Sequence, residues 1–322
     1  MGTFFDLLIC LFLVITALPA VILLYSRTKR KHSWEYAHKT ITLVISIILL
    51  TSTLILVYGS FIEPRLLITK RYEIDLAKIN QPITIVFIAD FQVGKYKQTA
   101  WVEKVVKRIL ILKPDLVLIG GDQVDNESLN LKELSYLEPL EKLAKQIPTY
   151  AIPGNHEYGV SCFWGIATKC AHSGDINFET KQALENLNIK YLSNDLEKIT
   201  LQEQSFYLFG GDSYWAQKLN YTNLDKRQED LATLALIHNP LATYQATKKD
   251  IDLILSGHTH GGQVRLPFLG PVARVDSLIP AQWYQGLQQY EDTQLLVTSG
   301  VGETGTRARL FNPPEIILLT IK

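Results

Sequence analysis

Net charge is the first thing missing from this 322-residue chain: 32 Lys and Arg offset 32 Asp and Glu. A chain without a basic excess offers no electrostatic footprint for a phosphate backbone, which argues against nucleic acid as the partner. Internal repeats and low-complexity tracts are missing as well. Cysteine is scarce, with three in the chain. Cys10 lies in an apolar run and reads as a small hydrophobe. Cys162 and Cys170 bracket CFWGIATKC. They can pair in an oxidising compartment, or stand as unrelated thiols. Phe163 and Trp164 inside that segment read either as a cap over an apolar substrate or as loop residues packed on the domain.

Charge is also absent locally, from two long runs. Residues 7–24 read LLICLFLVITALPAVILL and residues 41–62 read ITLVISIILLTSTLILVYGSFI. Each is long enough for a helix across a bilayer, which takes roughly 20 apolar residues. A cleavable signal peptide fits the first run poorly, because only Asp6 is charged before it and no basic residue precedes it. The stretch between the runs holds Arg27, Lys29, Arg30, Lys31 and Lys39 against Glu35. That bias places the short loop in the cytoplasm and the large C-terminal part outside, although Arg65, Lys70 and Arg71 follow the second run. The expected organisation is a two-pass membrane anchor over 1–65, a linker over 66–81 and a single domain over 82–322.

Within that domain, apolar runs alternate with amphipathic stretches. PITIVFIAD, PDLVLIGGD and PTYAIPGNHE read as strands ending in polar residues. Between them, TAWVEKVVKRILILK has helical spacing at Val102, Val105, Val106 and Ile109, and LKELSYLEPLEKLAKQ reads as a helix bent at Pro139. Strand and helix in alternation predict an α/β fold with parallel neighbours, whose ligands bind beyond the carboxyl ends of the strands. FYLFGGD, LALIHNP, DLILSGHTHGG, QLLVTSG and PEIILLTIK continue as strands, giving two packed sheet layers with helices outside.

The polar strand ends carry Asp90, Gln92, Asp122, Asn155, His156, His238, His258 and His260, including four of the seven histidines. Any one of them alone is an ordinary turn or loop residue. Together, at one sheet edge, carboxylate, amide oxygen and imidazole suit a divalent Mn, Fe or Zn. The series ADFQ, GGDQVD, GNHE, IHNP and GHTHGGQ resembles, in order, the motifs of the calcineurin-like metallophosphoesterases, and GHTHGGQVRLPFLGP and GVGETGTRARLFNPPEIILLTI resemble the bacterial membrane-associated subgroup. The resemblance implies a four-layer α/β/β/α sandwich over 83–322 and two divalent metal ions. By that resemblance Asp90, Asp122 and His260 hold the first ion. Asp122 bridges to a second, completed by Asn155, His238 and His258. His156 stands over the substrate, and Arg309 either meets its phosphate or forms a surface ion pair. Asp125 reads as a loop cap and His172 as solvated.

The chain departs from the family's D-x-H at Gln92. An amide oxygen is neutral, harder and a weaker donor than imidazole. Some manganese-dependent diphosphatases of the superfamily carry the same D-x-Q. The expectation is therefore a retained, weaker ligand and a preference for Mn²⁺, with Zn, Fe or Mg as alternatives. The implied function is hydrolysis of a phosphodiester or pyrophosphate in a phosphate-containing small molecule or lipid-linked substrate. A UDP-2,3-diacylglucosamine diphosphatase of the lipid A route is one alternative, opposed by the outward topology. A non-catalytic phosphate-binding or metal-binding membrane protein is another.

Overall fold

The computed structural model describes residues 2–126, 129–162, 170–228 and 230–322. The N-terminus is an antiparallel helical pair, Gly2–Lys29 and Lys39–Val57, with Pro19 inside the first helix. Most large side chains of these helices are exposed, among them Leu7, Leu11, Val21, Ile48 and Leu54. Both helices are long and apolar enough to cross a membrane. Thr53 donates a 2.9 Å hydrogen bond to Thr16 across the pair, which satisfies two hydroxyls that lipid cannot. The second helix ends in a wider turn, Tyr58–Ile62, and a tight one, Glu63–Arg65.

Two six-stranded sheets pack face to face behind it. The first runs, edge to edge, Ile68–Ile74, Glu315–Ile321, Ile83–Ile88, Leu116–Ile119, Thr149–Ala151 and Lys190–Tyr191. The second runs Gly286–Tyr290, Thr293–Val297, Leu253–Ser256, Thr233–Leu236, Gln204–Gly210 and Asp195–Leu201. Side chains alternate across each strand. Ile83, Ile85 and Phe87 face the core between the sheets, against Phe206, Leu208 and Leu234. Val86 and Ile88 face outward, against Val102, Val105 and Ile109 of the helix Thr99–Leu112. The outer face of the second sheet is covered by short turns and the helix Thr243–Ala246. The expected α/β/β/α layering is thus present.

Two expectations need correction. The supposed linker contains the edge strand Ile68–Ile74, paired in parallel with Glu315–Ile321. Its core Thr-Lys-Arg-Tyr-Glu is half exposed, so its composition hides it. The expected bent helix around Pro139 is two separate pieces, Leu131–Leu137 and Leu140–Ala144. Proline cannot donate within a continuous helix, and here Pro139 opens the second piece instead. The readings for Phe163 and Trp164, and for side chains of Cys162 and Cys170, lie outside the described residues.

The strands Ile83–Ile88, Leu116–Ile119 and Thr149–Ala151 are mutually parallel, as are Thr233–Leu236, Leu253–Ser256 and Thr293–Val297. Their carboxyl ends meet at one edge of the sandwich. Residues 298–314 cross that edge from the second sheet to the first, and they also hold the helical pair. Arg309 donates its amide to the Gly59 carbonyl at 2.9 Å. The Glu63 carboxylate accepts the amides of Phe311 and Asn312, and Lys97 reaches the Pro64 carbonyl at 2.6 Å.

Candidate metal centre

Each polar residue expected at the site follows one of these strands, and most stand in unusual backbone. Asp90, Gln92, Asp122, His258 and His260 have φ of 57, 47, 52, 68 and 48°. Left-handed backbone costs an L-residue about 1–2 kcal/mol, so this edge concentrates strain where the side chains converge.

The Asp122 carboxylate lies at the centre. Its Oδ1 accepts the His156 amide at 2.9 Å and its Oδ2 accepts the Gln92 side-chain amide at 3.0 Å. His238 Nε2 approaches the same Oδ2 to 3.0 Å and stands 3.9 Å from Asp90 Oδ1. His260 Nε2 lies 3.7 Å from Asp90 Oδ1. Potential ligand atoms of Asp122, His238 and His258 fall within 4.8 Å of one another, and those of Asp90, Asp122 and His260 do the same. Asp122 is the residue common to both groups.

The far sides of the imidazoles are tied down. His238 Nδ1 faces the Gly120 carbonyl at 2.7 Å, and His260 Nδ1 faces the Gly302 carbonyl at 3.3 Å. His258 Nδ1 meets Asn155 Oδ1 at 2.9 Å, while the Asn155 amide donates to the Val160 carbonyl at 2.7 Å. These contacts fix the rings and turn their other nitrogens inward, as ligating histidines require. Asn155 therefore reaches the cluster with its oxygen already engaged by His258.

Among the described residues, three buried atoms of this cluster have no hydrogen-bond partner, Asp90 Oδ2, Gln92 Oε1 and His258 Nε2, while His238 Nε2 has only the Asp122 carboxylate beside it. A buried polar group left unpaired costs about 1–3 kcal/mol. A carboxylate oxygen, an amide oxygen and an imidazole nitrogen gathered in this way fit a divalent cation. The charge states fit as well. Burial and the neighbouring His238 keep His258 well below its ordinary range, and burial and Arg309 push His260 down to about 3. Both rings are thus neutral, the form that binds metal. Burial raises Asp122, but His238 and His156 outweigh it and hold the carboxyl far below its usual value. Burial pushes Asp90 up to about 7, opposed by His238 and assisted by Asp122. Burial lowers His238, but Asp122 and Asp90 outweigh it and raise the ring to about 9, so the two carboxylates draw positive charge to the point between them.

His156 stands at the rim. Its Nδ1 donates to the Asp125 carbonyl at 2.6 Å, which leaves Nε2 facing the cleft, 3.9 Å from Asp122 Oδ2. Burial lowers its pKa, but Asp122 and Asp125 more than offset this, so the ring holds a proton more readily than usual. The cleft has a volume of about 380 Å³ and is walled by Trp215, whose ring meets His258 edge-on at 4.4 Å. His172 is exposed and lines a wider neighbouring cavity of about 900 Å³.

Arg309 is a correction. It is fully buried, and its guanidinium donates to the carbonyls of Ser299, Gly300, Gly302 and Asn312 and pairs with Glu303 at 3.3 Å. It braces the 298–314 crossing and is closed to a phosphate. The cleft's own cation is Arg274, an exposed residue of its lining that sequence reasoning missed. No hydrogen bond or ion pair engages its guanidinium among the described residues. Glu157 was also missed, although it closes the GNHE motif. Its buried carboxylate accepts the amides of Asp122, Gln123, Val124 and Gly154. It welds the Asp122 loop to the Asn155 loop. Gly154 permits that contact, since a Cβ there would stand 2.1 Å from Asp122 Oδ1.

A family profile described as calcineurin-like phosphoesterase matches residues 83–262, more than half of the chain. The chain belongs to the calcineurin-like phosphoesterase family, whose members are metal-dependent phosphoester hydrolases. Phosphodiesterase YaeI of Escherichia coli is 29% identical over 267 residues, covering 82% of this chain and 92% of that protein. An uncharacterized metallophosphoesterase of Helicobacter pylori is 30% identical over 272 residues, covering 82% of this chain and 65% of its own. A transmembrane protein with metallophosphoesterase domain from Bos taurus is 30% identical over 251 residues, covering 74% and 53%. The chain therefore spans just under two thirds of the Helicobacter relative and about half of the bovine one. TT1561 of Thermus thermophilus, a solved structure, aligns with a TM-score of 0.43 and 11% identity over 69% of this chain and 92% of that one.

Proposed function

We propose that this protein is a membrane-anchored phosphodiesterase or phosphoric anhydride hydrolase with a two-metal centre. The observation that carries the reading is the pair of ligand groups sharing Asp122, lined with buried, unpartnered acceptors. In this reading Asp90, Gln92, Asp122 and His260 hold one divalent ion, and Asp122, Asn155, His238 and His258 hold the other. When bound, such a pair activates a water and neutralises phosphoryl oxygens. His156 Nε2 faces the cleft with its other nitrogen fixed, so it donates a hydrogen bond to a phosphoryl oxygen or a proton to the leaving oxygen. Arg274 receives the remaining anionic oxygen. Two apolar helices of membrane-spanning length support an anchored domain, and the basic loop between them supports an extracytoplasmic one.

The test is hydrolysis of bis-p-nitrophenyl phosphate by the full chain in detergent, after metal removal and add-back. Activity should depend on an added divalent ion, and a rate indifferent to chelation and add-back would end the reading. The unpartnered Gln92 Oε1 makes the metal preference specific. Mn²⁺ should restore more activity than Zn²⁺, and Gln92→His should move the Zn²⁺-to-Mn²⁺ ratio toward Zn²⁺ by about tenfold. An identical ratio in parent and variant would remove Gln92 from the ligand set. Arg274→Ala should raise KM and lower kcat/KM by roughly 10–100-fold without changing metal content, as loss of one charge-assisted phosphate contact predicts. Unchanged kcat/KM would place the guanidinium outside the substrate's reach.

A further inference from the structure

We propose that the hairpin Arg265–Leu266 and Gly270–Pro271 dips into the bilayer beside the second helix, so that the catalytic cleft opens onto the membrane surface and takes its phosphodiester from an amphiphile in that leaflet. This rests on the anchored phosphodiesterase reading above.

The hairpin tip is apolar and uncovered. Phe268 is fully exposed, Leu269 is 79% exposed and Leu266 is 41% exposed. Val272 follows at 60%. Residues 266–273 read LPFLGPVA, uncharged, with Arg265 and Arg274 at either end and no acid between them. Apolar and aromatic side chains flanked by arginine are the composition of a segment that lies in a lipid interface.

Its place in the fold decides the occupant. Val264 bridges in parallel to Leu310, and Arg265 donates its amide to the Leu310 carbonyl at 2.9 Å. Leu310 and Arg309 lie against Gly59, at the end of the second apolar helix, where a Cβ would meet the Arg309 carbonyl at 3.2 Å. Phe311, itself 60% exposed, lines a groove with the hairpin and has its amide held by Glu63. The apolar tip is therefore continuous with the point where the helix leaves the bilayer.

Both cleft rims start from the same place. Ala273, Arg274 and Val275, just after the hairpin, line one side of the cleft. Thr304, Gly305 and Thr306 line the other. The next residue, Arg307, pairs with Asp6 of the first helix at 3.1 Å and stacks over Phe61 of the turn that ends the second at 5.2 Å. Lys95 and Tyr96 close on Asp6 as well. An amphiphile with its chain beside Phe268 presents its phosphate to Arg274 and the acidic cluster behind it, without leaving the leaflet.

Two measurements on the full chain in phosphatidylglycerol vesicles test this. The emission that Phe268→Trp adds to the parent's should be blue-shifted and quenched by lipids brominated near the headgroup end of the acyl chain. Equal added emission in brominated and plain vesicles overturns the docking, whatever the enzyme turns over. Phe268→Ser combined with Leu269→Ser should leave hydrolysis of methyl p-nitrophenyl phosphate unchanged. It should slow hydrolysis of vesicle-borne dodecyl p-nitrophenyl phosphate, which has the same leaving group, by about tenfold or more. Equal effects on both substrates overturn the lipid-side opening. No turnover of either diester by the parent at any metal refutes the phosphodiesterase reading and this substrate claim with it, while the quenching result still decides the docking.

Discussion

Asp122→Asn should lower kcat on bis-p-nitrophenyl phosphate by at least about 10³-fold and remove bound metal. Loss of a single oxyanion-stabilising donor costs an enzyme roughly 10²–10³ in kcat, and Asp122 supplies more than one interaction. It belongs to both ligand groups, so its charge serves both ions of the proposed pair. The variant also meets a local conflict. Oδ1 accepts from the His156 amide and Oδ2 accepts from the Gln92 side chain. An asparagine must place its own NH₂ against one of those two donors. The expected damage therefore falls on ion retention and on the position of His156 together. Elemental analysis of the purified variant should show less metal per chain than the parent, and kcat should fall far more than KM changes. A variant with parental metal content and a parental rate would show that the shared carboxylate is not the bridge.

The sequence exposes what depends on neighbours in the chain and hides what depends on distant partners. Asp90, Asp122, Asn155, His238 and His258 were legible because each lies within a few residues of the end of an apolar strand, and parallel strands bring their ends to one edge. The helix Thr99–Leu112 was legible through its period. The strand Ile68–Ile74 was not, because it pairs with the last strand of the chain and leaves half its side chains in water. Arg309 shows the same limit at the site. A basic residue in a motif-bearing loop looks alike whether it meets a phosphate or four backbone carbonyls, and only the fold makes it the second. Arg274 has the opposite history. Nothing adjacent marks it, and it earns its role from where the segment after the hairpin lies across the cleft. The bent helix expected around Pro139 is interrupted instead, because proline has no N–H to carry a helix through it.

Glu157 is the residue whose loss should cost the fold most directly. Its Oε1 accepts from Gln123 at 2.7 Å and Val124 at 3.4 Å, and its Oε2 accepts from Gly154 at 2.7 Å and Asp122 at 3.2 Å. These amides come from two loops that carry the proposed bridging aspartate and Asn155, and they are buried. Glu157→Ala leaves all of them without the acceptor. The cost of one unsatisfied buried donor is about 1–3 kcal/mol. Denaturant titration of the full chain should register a loss of that order, with metal affinity falling in parallel because the two loops separate. Glu157→Gln keeps one acceptor oxygen and turns an NH₂ toward the remaining donors, so its stability should fall between parent and Glu157→Ala. The order parent, Gln, Ala follows from acceptor geometry alone. If Glu157→Ala keeps parental stability and metal affinity, the loops hold each other without the carboxylate, and the positive φ at Asp122 must be stabilised by the strand ends instead.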